Sequence, residues 1–138
     1  MDKPLRLSVT SDIHLGHRRN EAAFIIKNLN AHITNDAHLS QIDLLVLAGD
    51  IFDDLLPLNS DDVPHIKAWI AHTLRLCHKY GVTVRVLEGT PSHDRAQSML
   101  FPAINEIHEH NAAMGVDLKW VRELCVEHIE KFGVDVLY

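Results

Sequence analysis

Three short apolar runs, each broken off by Asp, Gly or His, constrain this chain more than any other feature. The runs are Leu5-Arg6-Leu7-Ser8-Val9, Ile42-Asp43-Leu44-Leu45-Val46-Leu47 and Val82-Thr83-Val84-Arg85-Val86-Leu87. Each is rich in branched residues and passes at once into a polar stretch, which reads as a strand entering a loop. The stretches carry Asp12 and His14, then Asp50 and Asp53, then His93 and Asp94. In an open α/β sheet, loops at the carboxyl ends of parallel strands meet at one crevice. Carboxylates and imidazoles gathered there predict a metal site for Mn, Fe or Zn, and argue against a thiolate zinc site.

The segments between the strands read as helices. Ala22, Ile26, Leu29 and Ile33 recur at helical spacing, which predicts a helix over 20–35 with Asn20 and Glu21 at its start. Residues 36–41 read as a polar connection. Val63, Ile66, Ile70, Leu74 and Cys77 form a second stripe, with Pro64 in the first turn and Gly81 as the stop. The order β-α-β-α-β predicts parallel strands joined by right-handed crossovers. Residues 96–113 read as mainly helical, with Leu100, Ile104 and Ile107 on one side. Residues 118–132 fit both a helix and short strands, with strands preferred, and Val134-Asp135-Val136-Leu137 is strand-like. The fold class is therefore α/β, a mostly parallel sheet flanked by helices, and 138 residues make one domain rather than two.

Charge narrows the partners little. A net charge of −6 gives no general basic footprint for nucleic acid, although a local patch would suffice to grip it. Cys77 and Cys125 are too few for a disulfide framework, so a reducing, cytoplasmic setting is expected. No apolar run is long enough to span a membrane. Of the eleven histidines, His32, His38, His65, His72 and His78 read as helix-face residues.

Taken in order, Asp12-Ile13-His14, Gly49-Asp50-Ile51-Phe52-Asp53 and His93-Asp94 resemble the signature of the calcineurin-like metallophosphoesterases. Asp12-Ile13-His14-Leu15-Gly16 and the second motif are most similar to the SbcD-type DNA repair exonuclease branch. The resemblance implies the N-terminal portion of an αββα sandwich and a centre of two divalent ions, Mn foremost. It assigns Asp12 and His14 to the first ion and Asp50 to the bridge, and His93 to acid catalysis or charge stabilisation at the leaving oxygen. The implied reaction is in-line attack on a phosphodiester by metal-bound hydroxide, with no covalent enzyme intermediate. DNA is the implied substrate and an SbcC-like ATPase the implied partner. Alternatives are a general metallophosphoesterase acting on nucleotides or phosphoproteins, and a truncated or degenerate domain with a binding role. Read without the family, Asp12 and Asp50 are helix caps, His93 a loop histidine bonded to Asp94, and Asp53 and Asp94 acceptors that orient histidine or backbone groups. His17, Arg18 and Arg19 fit a phosphate-backbone contact and a solvated helix start equally well.

Two departures from the family pattern matter. Its Gly-Asn-His is replaced by Gly89-Thr90-Pro91-Ser92-His93, so Ser92 is the expected substitute metal ligand and Thr90 the other candidate. A hydroxyl binds cations less well than an amide oxygen, which predicts a weak second site. The later family histidines have no clear counterpart, because His108 and His110 sit in a predicted helix and His128 stands alone. The resemblance therefore implies the N-terminal part of a larger domain.

Overall fold

A computed structural model describes residues 3–138; Met1 and Asp2, part of the expected lead-in to the first strand, lie outside them. Strands β1 (Leu7–Thr10), β2 (Leu44–Ala48), β3 (Thr83–Leu87) and β4 (Leu118–Val121) form a parallel sheet in the order β1-β2-β3-β4. Right-handed crossovers between sequential neighbours place every connecting helix on one side. Helices α1 (Ala22–His32), α3 (Asp62–Tyr80) and α5 (Leu100–Ala112) lie there, with the one-turn helices α2 (Asp36–Leu39) and α4 (Pro91–Asp94). Ala22, Ile26, Leu29, Ile66, Ile70, Leu74 and Phe101 pack against Leu45, Leu47, Val84 and Val86.

Local chemistry shifts some helix ends from their expected places. α1 stops at His32 because Ile33 leaves the helical region, and the buried Thr34 then accepts the Trp69 indole N–H. Asn35 caps α2 by accepting the His38 N–H, so the expected polar connection is a short helix. Glu21 makes no side-chain cap; the first amide of α1 is met by Asp62, at the start of α3. Gly81 ends α3 in the left-handed region, as its position predicts.

The opposite face of the sheet is covered by an antiparallel hairpin, β5 (Val126–Ile129) and β6 (Val134–Leu137). Leu44 and Val46 pack against Ile129, Phe132, Val134 and Val136 on this side. That explains why β2 is apolar at consecutive positions: alternate residues serve two different cores. The ambiguous stretch 118–132 thus divides into β4, which extends the parallel sheet, and β5, which crosses to the other face.

One buried cation fastens the hairpin. Arg85 of β3 is 1% exposed and grips Glu127 of β5 through Nε and Nη2 at 2.9 and 2.8 Å. Its Nη1 donates to the Asp117 carboxylate and carbonyl. Hydrogen bonding from Arg85, reinforced by Lys119 and Tyr138, lowers the Glu127 carboxyl to about 2. Because the folded value lies below the unfolded one, the stabilisation is complete above about pH 4.5 and is lost as the pH falls toward about 2. The loss is on the order of 3 kcal/mol. Thermal unfolding across this window should show the decline, and Glu127→Gln should flatten it; an unchanged slope in the variant would clear Glu127 of the effect. No helix among the described residues is long and apolar enough to cross a membrane.

Candidate metal centre

The loops after β1 and β2 continue to pair beyond the strands. Asp12 and His14 donate their amides to the carbonyls of Gly49 and Asp50, Leu15 donates to Ile51, and Asp53 donates back to Leu15. Ile13, Leu15, Ile51 and Phe52 are buried beneath this extension, while Asp12, His14, Asp50 and Asp53 stay at least partly accessible. The backbone is forced to achieve this. Asp12, His14 and Asp50 all lie in the left-handed region, at φ of 55°, 55° and 50°. Such conformations cost about 1 kcal/mol or more for residues with a Cβ and cluster at functional sites.

The resulting geometry brings together the donors expected from the sequence. Ligand atoms of Asp12, His14 and Asp50 all lie within 4.8 Å of one another, as do those of His14, Asp53 and His93. In the second group the residues are already bonded to one another. The His14 Nδ1 stands 3.1 Å from the Asp53 carboxylate, and the His93 Nδ1 stands 2.6 Å from the Asp53 carbonyl. Both partners can only accept, so each Nδ1 carries the proton and donates. Each Nε2 is left free, and that of His14 lies 3.6 Å from Asp12. Orienting an imidazole through its far nitrogen is the usual support for a metal-binding histidine. The two rings meet edge to face with centroids 4.9 Å apart.

Thr90 and Asp94 join the third loop to the others. The carboxylate of Asp50 accepts the Thr90 amide at 2.7 Å and its hydroxyl at 3.3 Å. Partial burial works to raise the Asp50 carboxyl, but these bonds, with His93 and His14 nearby, bring it below its ordinary value. The Asp53 carbonyl, with the surrounding carboxylates, raises His93. Asp94 is fully buried and accepts three backbone amides: Asp50 at 3.1 Å, Phe52 at 2.9 Å and Gly89 at 2.6 Å.

Ser92, the expected substitute ligand, stands apart. It is exposed in α4, and the hydroxyl that reaches Asp50 belongs to Thr90. The one-turn helix at 91–94 swings Ser92 outward while turning His93 and Asp94 inward; proline at the first helical position favours that turn. His108, His110 and His128 join neither donor group. His110 instead faces Glu106, and His128 bonds Asp135.

A cavity of about 410 Å³ opens above Asp12, His14 and Asp53, with His17 and Asn20 on its wall. Arg18 and Arg19, which lie between His17 and Asn20 in the chain, are exposed. The chain matches no family model and no curated protein. The donors themselves suit one hard or borderline cation, since oxygen and imidazole ligands converge without a thiolate. For a second cation the described residues of the same crest offer Asp50, Thr90, the free nitrogen of His93 and the Asp53 carboxylate that already accepts from His14.

Proposed function

We propose that this protein is a metal-dependent phosphoester hydrolase, most specifically a phosphodiesterase similar to the SbcD-type nucleases acting on DNA. The observation that carries the reading is the convergence of Asp12, His14 and Asp50 within 4.8 Å, with His93 beside them. Asp12, His14 and Asp50 would hold a divalent cation, Mn foremost, and Asp50 would be shared with a second if one binds. A bound cation would supply Lewis-acid polarisation of the phosphate and lower the pKa of water. Asp53 keeps the His14 ring turned with its free nitrogen outward. His93, whose proton affinity is raised, carries a proton toward the leaving oxygen from its free Nε2. A cytoplasmic setting and an SbcC-like ATPase partner belong to the same reading.

One observation favours a second reading, a domain that binds metal and phosphate without turnover. Both oxygens of Asp50 are engaged by Thr90, and the Asp53 carboxylate of the second donor group is engaged by the His14 Nδ1.

Calorimetric titration of the chain with Mn, followed by hydrolysis of linear duplex DNA, cyclic nucleotides and phosphopeptides, separates these readings. Turnover on DNA supports the first reading, turnover restricted to the small substrates supports a general phosphoesterase, and binding without turnover supports the second. Asp50→Asn should lose both metal and hydrolysis. His93→Ala should keep the metal and lose roughly 10²–10⁴-fold in rate, the scale of a general acid. Full activity in His93→Ala would remove that residue from the reaction.

A further inference from the structure

One carboxylate close to the candidate centre belongs to neither donor group. Glu88 stands one residue beyond β3, and its amide bonds the Val121 carbonyl of β4. Val84 and Val86 of β3 pack toward the helices, so strand alternation carries the Glu88 side chain to the same face. Trp120, the register partner of Val86 on β4, packs there as well. On that face the Glu88 Oε1 accepts the Ala96 amide at 2.8 Å. Its Oε2 accepts the Ser98 hydroxyl at 2.8 Å and the Trp120 indole N–H at 3.2 Å. The same indole N–H reaches the Ser98 oxygen at 2.9 Å, and Ser98 is wholly buried.

The residues held in this way form the turn that follows His93 and Asp94. Arg95 and Ala96 are both left-handed, at φ of 49° and 58°, and neither is Gly, Asn or Asp, the residues that take that region readily. Such conformations persist only where the surroundings over-determine them. Glu88 meets the second of the pair and anchors the 3₁₀ turn Gln97–Met99 behind it. Gln97, between the two anchored residues, reaches across to the second loop. Its carboxamide donates to the Asp54 carbonyl at 3.0 Å and accepts the Leu56 amide at 2.8 Å. Asp54 follows Asp53, whose carbonyl takes the His93 Nδ1–H. Both sides of that bond are tied to one carboxylate, His93 through the turn and Asp53 through Gln97.

We propose that Glu88 is the positioning residue for His93, holding its Nδ1–H on the Asp53 carbonyl and so keeping Nε2 as the basic nitrogen. The hydrogen bond made by one ring nitrogen decides which nitrogen carries the proton, so a loop that fixes the bond also fixes the tautomer. Trp120 braces Glu88 from β4, which makes the fourth strand part of the support of a residue two strands away from the first motif. The catalytic consequence rests on the proposed hydrolase reading, in which His93 carries the proton; the tautomer itself does not.

Imidazole nitrogen NMR of the metal-free chain reads the tautomer directly, with the His93 signals assigned by their loss in His93→Gln. Above the pH at which the ring is protonated, the intact chain should show a protonated Nδ1 and a bare Nε2. Glu88→Ala should lower the ratio of the Nδ1–H to the Nε2–H form about tenfold, the scale of one hydrogen bond. Glu88→Gln should preserve the ratio, since its carboxamide oxygen still accepts from Ala96 while its NH₂ donates to the Ser98 oxygen. Near-ultraviolet circular dichroism verifies that each variant keeps its fold. Should Glu88→Ala misfold, Glu88→Asp decides: one methylene shorter, it cannot hold Ala96 and Ser98 together, and the ratio should again fall. A folded Glu88→Ala or Glu88→Asp with the ratio of the intact chain overturns the proposal, as does an intact chain whose His93 carries its proton on Nε2. In hydrolysis of DNA, Glu88→Ala should lower kcat and leave Mn affinity unchanged, because Asp12, His14 and Asp50 belong to the other two loops. No metal or substrate enters the tautomer measurement, so a chain that turns over no DNA yet shows the expected fall supports the role of Glu88 and counts against the hydrolase reading alone.

Discussion

Replacing Asp94 by Ala should lower the free energy of unfolding by about 4 kcal/mol and abolish uptake of Mn. The buried carboxylate satisfies the amides of Asp50, Phe52 and Gly89, and among the described residues no other side chain accepts from them. Removing it leaves three donors in a closed site, and an unsatisfied buried donor costs about 1–3 kcal/mol. Asp94→Asn provides the graded control. Its amide oxygen can serve one side of the carboxylate, while its NH₂ then confronts a donor on the other. About half the loss is expected. Urea unfolding and a Mn titration of each variant measure the two effects separately. A loss under about 1 kcal/mol in Asp94→Ala would show that water reaches these amides and that Asp94 is not the tie.

Gly89→Ala is the second large effect, and it acts through space rather than charge. A Cβ on Gly89 would overlap the Asp50 amide nitrogen and carboxylate, and would lie 2.8 Å from the Asp94 carboxylate. The first of these is backbone and cannot swing aside. The loop must shift, which costs about 1–3 kcal/mol. Asp50 must move with it, so Mn affinity should fall at least about tenfold for each 1.4 kcal/mol of lost ligation. Wild-type affinity in Gly89→Ala would mean that the cation does not depend on the position of Asp50.

Much of this architecture is legible from residue order. The apolar runs end within one residue of the strands, and Gly81 stops α3. Asp53 orients a histidine and Asp94 orients backbone amides, roles that follow from short acceptors placed one loop away from donors. Other features depend on contacts that sequence spacing does not encode. Ser92 rather than Thr90 is the natural substitute ligand by adjacency to His93, but one turn of helix reverses their directions. Asp62 caps a helix forty residues earlier because α1 and α3 pack together. The course of residues 118–132 is ambiguous because alternate apolar residues fit either a helix stripe or a strand face. Only the uncovered side of the sheet decides it. The positive φ angles at Asp12, His14 and Asp50 have no glycine to announce them.

The continuous burial of β2 has a consequence for how the chain chooses a single structure. Leu44, Leu45, Val46 and Leu47 are all buried, two toward the helices and two toward the hairpin. Sliding this strand by one residue would exchange one apolar pair for another, so burial alone leaves the alignment nearly degenerate. The discrimination must come from its ends. At the start, Asp43 holds the amide and guanidinium of Arg6. At the finish, Asp94 accepts from both Asp50 and Phe52, which a slipped strand could not present together. The polar groups that gather the candidate ligands are thus also the ruler by which the central strand is measured. Loosening them exposes the fold to misalignment as well as the site to loss of metal.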